Sequence, residues 1–289
     1  MTDASAQPIL IIGTHRSGTT FLSHVLSQHP DVAYAEEPRH IWAWGHNFNP
    51  DDVLEASDAS PRITKHVKKA FRKFLAQSGK KHLLEKTPSN CLRLPFIEAI
   101  YPEAKYIHIY RDGRAIVRST GEINTGRPDL IWIVRRLFGT AIWEWPAFIP
   151  RAMRTLGRHL MGKKMTYWGP CPRGWKSWVE AGDPQEVILA KQWRYTIEPV
   201  LDFREANKDK LNGRWMELRY EDFMADPEGK CREMFEFAGL AESDEVLSYV
   251  RERVDPTRQQ KWKKELKEGE LDQIKPVLEP TLERLGYEW

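Results

Sequence analysis

A short apolar run ending in glycine, a tight loop to a second glycine, and then a helix: this succession near the start of the chain limits its folds more than any other feature. Pro8-Ile9-Leu10-Ile11-Ile12 is continuously apolar and closes at Gly13. A run without polar alternation suits a strand buried on both faces of a parallel sheet. The loop Gly13-Thr14-His15-Arg16-Ser17-Gly18 follows, and Thr19-Thr20 opens a helix with Phe21, Leu22, Val25 and Leu26 on one face. This is the layout of a phosphate cradle. Glycines permit the turns that aim successive backbone N–H groups inward, and the helix adds the positive end of its dipole.

Downstream, strands and helices keep alternating. Val32 to Ala35 reads as a second strand leading into Glu36-Glu37-Pro38-Arg39-His40. Pro61 to Ser78 reads as a basic amphipathic helix, and Leu83-Leu84 as part of a third strand ending at Glu85-Lys86. Thr87, a capping residue, and Pro88 then start a helix expected to run to Ile100. Lys105 to Tyr110 is a fourth strand, Arg111-Asp112-Gly113-Arg114 a turn, and Ala115 to Thr120 the start of a helix. A long helix over Pro184 to Asn207, a fifth strand over Trp215 to Tyr220 and helices from Asp226 onward complete the pattern. It implies an α/β, P-loop-like three-layer fold: a central parallel sheet of about five strands with helices on both faces. Residues 1–289 are expected to form one domain. Its rhythm breaks at about 124–182, a Trp- and Arg-rich stretch read as a helical insertion.

Composition narrows the function. Lys plus Arg number 44 against 41 for Asp plus Glu, so the net charge is only +3. That excludes a strongly basic nucleic-acid coat and leaves room for a local anion pocket. No apolar stretch is long enough to span a membrane, and acidic Asp3 stands before Ile9 where a leader would be basic. Cys91, Cys171 and Cys231 are far apart, odd in number and without CxxC spacing. They are expected to be buried thiols in a cytoplasmic protein, with no disulfide framework and no zinc site. The scattered histidines offer no metal-type pair, so no metal is expected.

Two anion corners emerge. In a nucleoside triphosphatase loop a lysine follows the second glycine; here Thr19 stands there, and the cation is Arg16 within the loop. A shorter anionic group without a metal would be held by Arg16, Ser17, Thr19 and Thr20. The second corner is Arg111 with Ser119, on the turn after the fourth strand, at the sheet edge where α/β ligands bind. A nucleotide with phosphates at both ribose ends fits the pair. A P-loop nucleotide or small-molecule kinase, and a non-catalytic nucleotide-binding relative, are the competing readings.

These motifs resemble the sulfotransferases that use 3'-phosphoadenosine 5'-phosphosulfate (PAPS). Thr14-His15-Arg16-Ser17-Gly18-Thr19-Thr20 is similar to their 5'-phosphosulfate loop, and Tyr110-Arg111-Asp112-Gly113-Arg114 through Ser119 to their 3'-phosphate motif. His29-Pro30-Asp31 with Glu36-Glu37, and Glu85-Lys86-Thr87-Pro88, resemble the tyrosylprotein sulfotransferases and related bacterial proteins. The likeness covers roughly residues 8–125 and returns at Leu218-Arg219-Tyr220-Glu221-Asp222-Phe223.

The resemblance implies transfer of a sulfuryl group from PAPS to an acceptor hydroxyl or amine, with 3'-phosphoadenosine 5'-phosphate (PAP) as product and no metal. Gly13 through Thr20 would hold the 5' end, Arg111 and Ser119 the 3'-phosphate, and Tyr220 the adenine. Arg258 would add a late-loop contact, although Thr257-Arg258-Gln259-Gln260-Lys261-Trp262 lacks the usual glycines. Glu37 is the expected general base and His40 the runner-up, since cytosolic relatives use a histidine. Arg16 and Lys86 would stabilise charge on the leaving phosphate. Trp132, Trp143, Trp145, Trp168, Trp175 and Trp178 read as a wall over the acceptor or as ordinary core. The acceptor is left open among a carbohydrate, a lipid alcohol, a phenol or other small molecule, and a peptide tyrosine. Lys65, Lys68, Lys69, Arg72 and Lys73 form either a solvated helix face or a docking face for an acidic acceptor or membrane surface.

Overall fold

The computed structural model describes residues 7–124, 167, 169–254 and 262–289. Five strands, β1 (Ile9–Ile12), β2 (Val32–Glu36), β3 (His82–Lys86), β4 (Lys105–Tyr110) and β5 (Trp215–Arg219), form one sheet in the order β2-β3-β1-β4-β5. Every pairing is parallel. The chain moves to one side of β1 for β2 and β3, then to the other for β4 and β5. The switch point therefore lies at the carboxyl end of β1, where open α/β sheets keep their ligand crevice.

Strand alternation separates two cores. Leu10, Ile12, Ala33, Ala35, Leu83 and Tyr106 face α2 (Arg39–Trp42), α3 (Pro61–Ser78) and α4 (Leu94–Ile100), through Trp42, Phe71, Phe96 and Ile97. Ile9, Ile11, Val32, Leu84, Ile107 and Leu218 face α1 (Thr19–Ser27) on the opposite side. There they also meet α8 (Tyr220–Ala225), α9 (Pro227–Ala238) and α10 (Asp244–Arg253). These are the three expected layers. A third cluster joins α5 (Gly113–Asn124) to α7 (Gln185–Ala206) and α12 (Glu268–Arg284) through Ile116, Trp193, Ile197, Leu278 and Leu282. α6 (Trp175–Glu180) and α11 (Trp262–Glu265) are short.

Several expected boundaries need correction. The helix from Pro88 to Ile100 is broken: Pro88–Leu92 is a 3₁₀ turn and α4 starts at Leu94. Pro95 in the first turn of α4 lacks an N–H to continue a helix from upstream. Thr87 does not cap with its side chain, because its hydroxyl donates to Glu85 Oε1 at 2.6 Å. The second strand extends one residue to Glu36, and the fifth stops at Arg219, so Tyr220 begins a helix. Cys91 and Cys231 are buried free thiols, but the free Cys171 is only half-buried. Of the six tryptophans read as one wall, Trp132, Trp143, Trp145 and Trp168 lie outside the described residues, as does Arg258. Trp175 packs on Tyr167 at 4.5 Å and donates its indole N–H to Pro50 O at 3.2 Å, while Trp178 stacks on Tyr195.

Candidate active site

Parallel strands point the same way, so Gly13, Glu37, Lys86, Arg111 and Tyr220, each at or just past a strand's carboxyl end, share one edge of the sheet. The first loop is built from β1 upward. A side chain at Gly13 would lie 2.5 Å from Ile109 O and 2.8 Å from Ser17 Oγ, so only glycine lets β1 and β4 close there. Gly18 has φ +99°, and a Cβ on it would strike the Tyr220 ring at 2.6 Å. The Ser17 hydroxyl donates to Thr14 O at 2.7 Å and closes the loop internally. Arg16 holds φ 65°, a left-handed conformation uncommon outside glycine. Its side chain is thereby sent outward, exposed at the mouth of the loop.

The second corner forms on the turn after β4. Arg111 stacks its guanidinium over Tyr220 at 4.3 Å and donates from Nη1 to Arg16 O at 3.4 Å. Ser119, on α5, accepts from Arg16 Nε at 3.0 Å. The two corners are thus joined: the expected partner of Arg111 is held by the arginine of the first loop. Behind Arg111, a cleft of about 330 Å³ bounded by Arg114, Arg219, Trp262 and Tyr287 opens on the other side of the turn. Both of its arginines are already engaged, Arg114 with Asp112 at 2.8 Å and Arg219 with Glu221 at 3.6 Å.

On the opposite flank, Glu37 follows β2 with φ 44°, the second non-glycine left-handed residue among those described. Its N–H donates to Lys86 O at 3.1 Å, extending the β2–β3 ladder past the strand end. The turned backbone carries the carboxylate to two cations: Oε1 accepts from Lys86 Nζ at 2.7 Å and Oε2 from Arg39 Nη2 at 3.1 Å. Lys86 is only 1% exposed, and its ammonium also donates to Thr20 Oγ1 at 3.0 Å. So the cation that a nucleoside triphosphatase places after its second glycine comes here from the neighbouring strand. Burial pushes the Glu37 carboxyl up, but Arg39 and Lys86 outweigh it and hold the group below its usual range. His15 is buried inside the first loop; burial, with Arg16 and Arg39 adding, drives it down to about 3, so the ring is neutral. His40 stands exposed on α2, and desolvation, with His66 of α3 adding, lowers its imidazole below the usual range. Arg39 was not singled out from the sequence; its place two residues after Glu37 in a tight turn was the available signal.

Residues 8–131 match the model of the sulfotransferase family. Over that stretch, which is less than half of the chain, it is similar to the sulfotransferase family. Among its relatives, the nodulation protein NoeE of Sinorhizobium fredii is 33% identical over 135 residues, which are 40% of this chain and 32% of that protein. Protein-tyrosine sulfotransferase 1 of Danio rerio is 31% identical over 121 residues, 38% of this chain and 34% of that one. The matched stretch therefore spans about a third of the length of these relatives. Carbohydrate sulfotransferase 3 of Mus musculus is 22% identical along 96% of this chain and 67% of its own. In fold, the sulfotransferase domain from the curacin biosynthetic pathway superposes with a TM-score of 0.58 over 98% of both chains at 14% identity.

Two buried polar atoms of this site are left without a partner. Thr14 Oγ1, in the first loop, and Arg111 Nε, in the second corner, are buried without a hydrogen-bond partner. Buried donors of this kind are costly unless something accepts from them. They lie at the two corners to which phosphates are assigned. Among the described residues no group of His, Cys, Asp and Glu could hold a metal ion, and no helix is long and apolar enough to cross a membrane.

Proposed function

We propose that this chain transfers a sulfuryl group from PAPS to an acceptor hydroxyl, or amine, by in-line displacement. One observation carries the reading: the buried Lys86 ammonium touches both Thr20 of the phosphate loop and the carboxylate of Glu37. A cation shared between an anion cradle and a base is what transfer of an anionic group to a hydroxyl requires. PAPS supplies the activated sulfur and a phosphate leaving group.

The chain's residues divide the work. Gly13 through Thr20 bind the 5' end, with Arg16 and Lys86 set to meet the negative charge that grows on the leaving oxygen. Arg111 and Ser119 hold the 3'-phosphate, and Tyr220, fixed under Arg111, flanks the base. Glu37 accepts the acceptor's proton. In the free protein its carboxylate is ionised but quenched by Lys86 and Arg39. Attraction of Lys86 toward a bound anion loosens that grip and raises the carboxyl's basicity at the moment it is needed. Trp175 and Trp178, in the described part of the 124–182 stretch, wall the acceptor side, a role supported by their seating beside Pro50 and α7. A cytoplasmic location accords with the free thiols Cys91, Cys171 and Cys231.

The test is radiolabelled PAPS incubated with a panel of hydroxyl acceptors, including tyrosine peptides and carbohydrates in view of the names of the relatives. Glu37→Gln should lower turnover on a responding acceptor by ~100-fold or more, the low end for a positioned general base. Full turnover in that variant would remove Glu37 from the role. Calorimetry with PAP against ATP and Mg²⁺ separates this reading from a kinase.

A further inference from the structure

Directly behind Lys86 lies a buried carboxyl that the proposed reaction does not use. Glu85 is 0% exposed. It pairs in register with Leu10 of β1 and Ala35 of β2, so it points to the Trp42 side of the sheet, whereas Lys86 pairs with Ile11 and points to the α1 side. Both carboxylate oxygens are engaged beyond the strand end. Oε1 accepts from Thr87 Oγ1 at 2.6 Å and Oε2 from Asn90 Nδ2 at 2.8 Å. The same turn is closed by Asn90 N donating to Thr87 O at 2.9 Å and Arg93 N to Asn90 O at 3.0 Å. Arg93, itself buried, is tied by Asp52 at 2.8 Å, and Asp52 Oδ2 accepts from Cys171 N at 2.9 Å. Lys86 is thus gripped from both ends: its ammonium by Thr20 and Glu37, and the turn after it, through Thr87 and Asn90, by Glu85.

We propose that Glu85 is a positioning residue that, as a carboxylate, fixes the Thr87–Asn90 turn and so sets Lys86 between the phosphate loop and Glu37. This rests on the functional reading above and deepens it. Two donors converging on two separate oxygens fit the ionised carboxylate; a protonated one would have to give up one acceptor to hold its own hydrogen. Burial raises Glu85 to about 7, opposed by the Thr87 hydrogen bond and by the nearby charges of Lys86 and Arg93. Burial, with the charges of Glu36, Glu37 and Glu85 adding, holds Tyr34 of β2 neutral, well above its ordinary range. Glu85 thus changes charge near neutral pH. Lys86 should therefore be best set on the alkaline side of that change.

Three measurements on Glu85→Gln, with Thr87→Val as the milder partner, decide the matter. Turnover with PAPS should fall at least tenfold while the Kd for PAP changes less than threefold. The rise of turnover with pH near 7 should vanish in Glu85→Gln and persist, at lower amplitude, in Thr87→Val. Amide hydrogen exchange should quicken over Lys86 to Leu92 in both variants, without ligand and with no change elsewhere. Wild-type turnover with the pH rise intact in Glu85→Gln would overturn the proposal, as would loss of PAP affinity matching the loss of turnover. If Glu85→Gln fails to fold, unaltered turnover and exchange in Thr87→Val overturn it just as well. Absence of sulfuryl transfer by the unaltered chain would sink the functional reading instead, and the exchange experiment would then judge the positioning role alone.

Discussion

The two non-glycine residues described with left-handed backbone, Arg16 and Glu37, both sit where the proposed chemistry happens. Such conformations are unfavourable and persist when surrounding structure over-determines them. Arg16 is held by the cradle on one side and Ser119 on the other, Glu37 by its ladder bond to Lys86 and two cations. At the second corner, Arg111 has a stacking partner in Tyr220 but a buried Nε without an acceptor. Arg111→Ala should therefore weaken PAP binding by more than ~1.5 kcal/mol, roughly the low end for a hydrogen bond to a charged group. Isothermal titration checks it, and unchanged affinity would dismiss the 3'-phosphate corner.

At the scale of elements, α7 is the brace. Trp193 is fully buried between α5 and α12, and its ring lies so close to Gly113 that a Cβ there would approach within 2.9 Å. α5 carries Ser119, so this packing fixes the second corner to the body of the protein. Trp193→Ala should cost about 3–5 kcal/mol in urea-induced unfolding. Some elements could be read in advance because local signals agreed. Ser60 caps and Pro61 begins α3, and Gly79 in a left-handed turn ends it, as the basic amphipathic pattern suggested. β1 and β4 were visible as apolar runs. The break at Arg93 was hidden because Thr87 and Pro88 look like a helix start, and only the fold shows that the Thr87 hydroxyl serves Glu85. Likewise a lysine at a strand end usually reads as solvated; its burial follows from the turn at Glu37, 49 residues away in sequence. The link from Arg16 to Ser119 depends on side-chain directions from two separate loops, which motif spacing does not encode.

For the molecule as a whole, two carboxyls set opposing dependences on pH. Glu217, beside buried His108 and the Arg204 guanidinium, is lowered from 4.5 to about 2 although partial desolvation pushes it up, so it adds stability above 4.5 that is lost as pH falls toward 2. Glu85 runs the other way. Its folded-state value is raised from 4.5 to about 7, so the native state holds that proton more tightly than the unfolded chain, and stability declines as pH rises from 4.5 to 7. Denaturant titrations should show that decline, and Glu85→Gln should flatten it; an unchanged slope would mean the carboxyl titrates elsewhere. The topology has a temporal consequence too. β1 precedes its neighbours β3 and β4 by a long stretch of chain, with Ile9 laid against Leu84 and Lys105. During synthesis this greasy ribbon must wait until Leu84 is made before one flank can be closed and until Lys105 for the other, and β5 arrives later still. Loop closures of this span are slow and leave unpaired strand edges open to wrong partners. A nascent chain of this kind is thus most vulnerable to clumping before it has a cradle at all, and a chaperone that shields β1 would guard the very segment on which the cradle is later built.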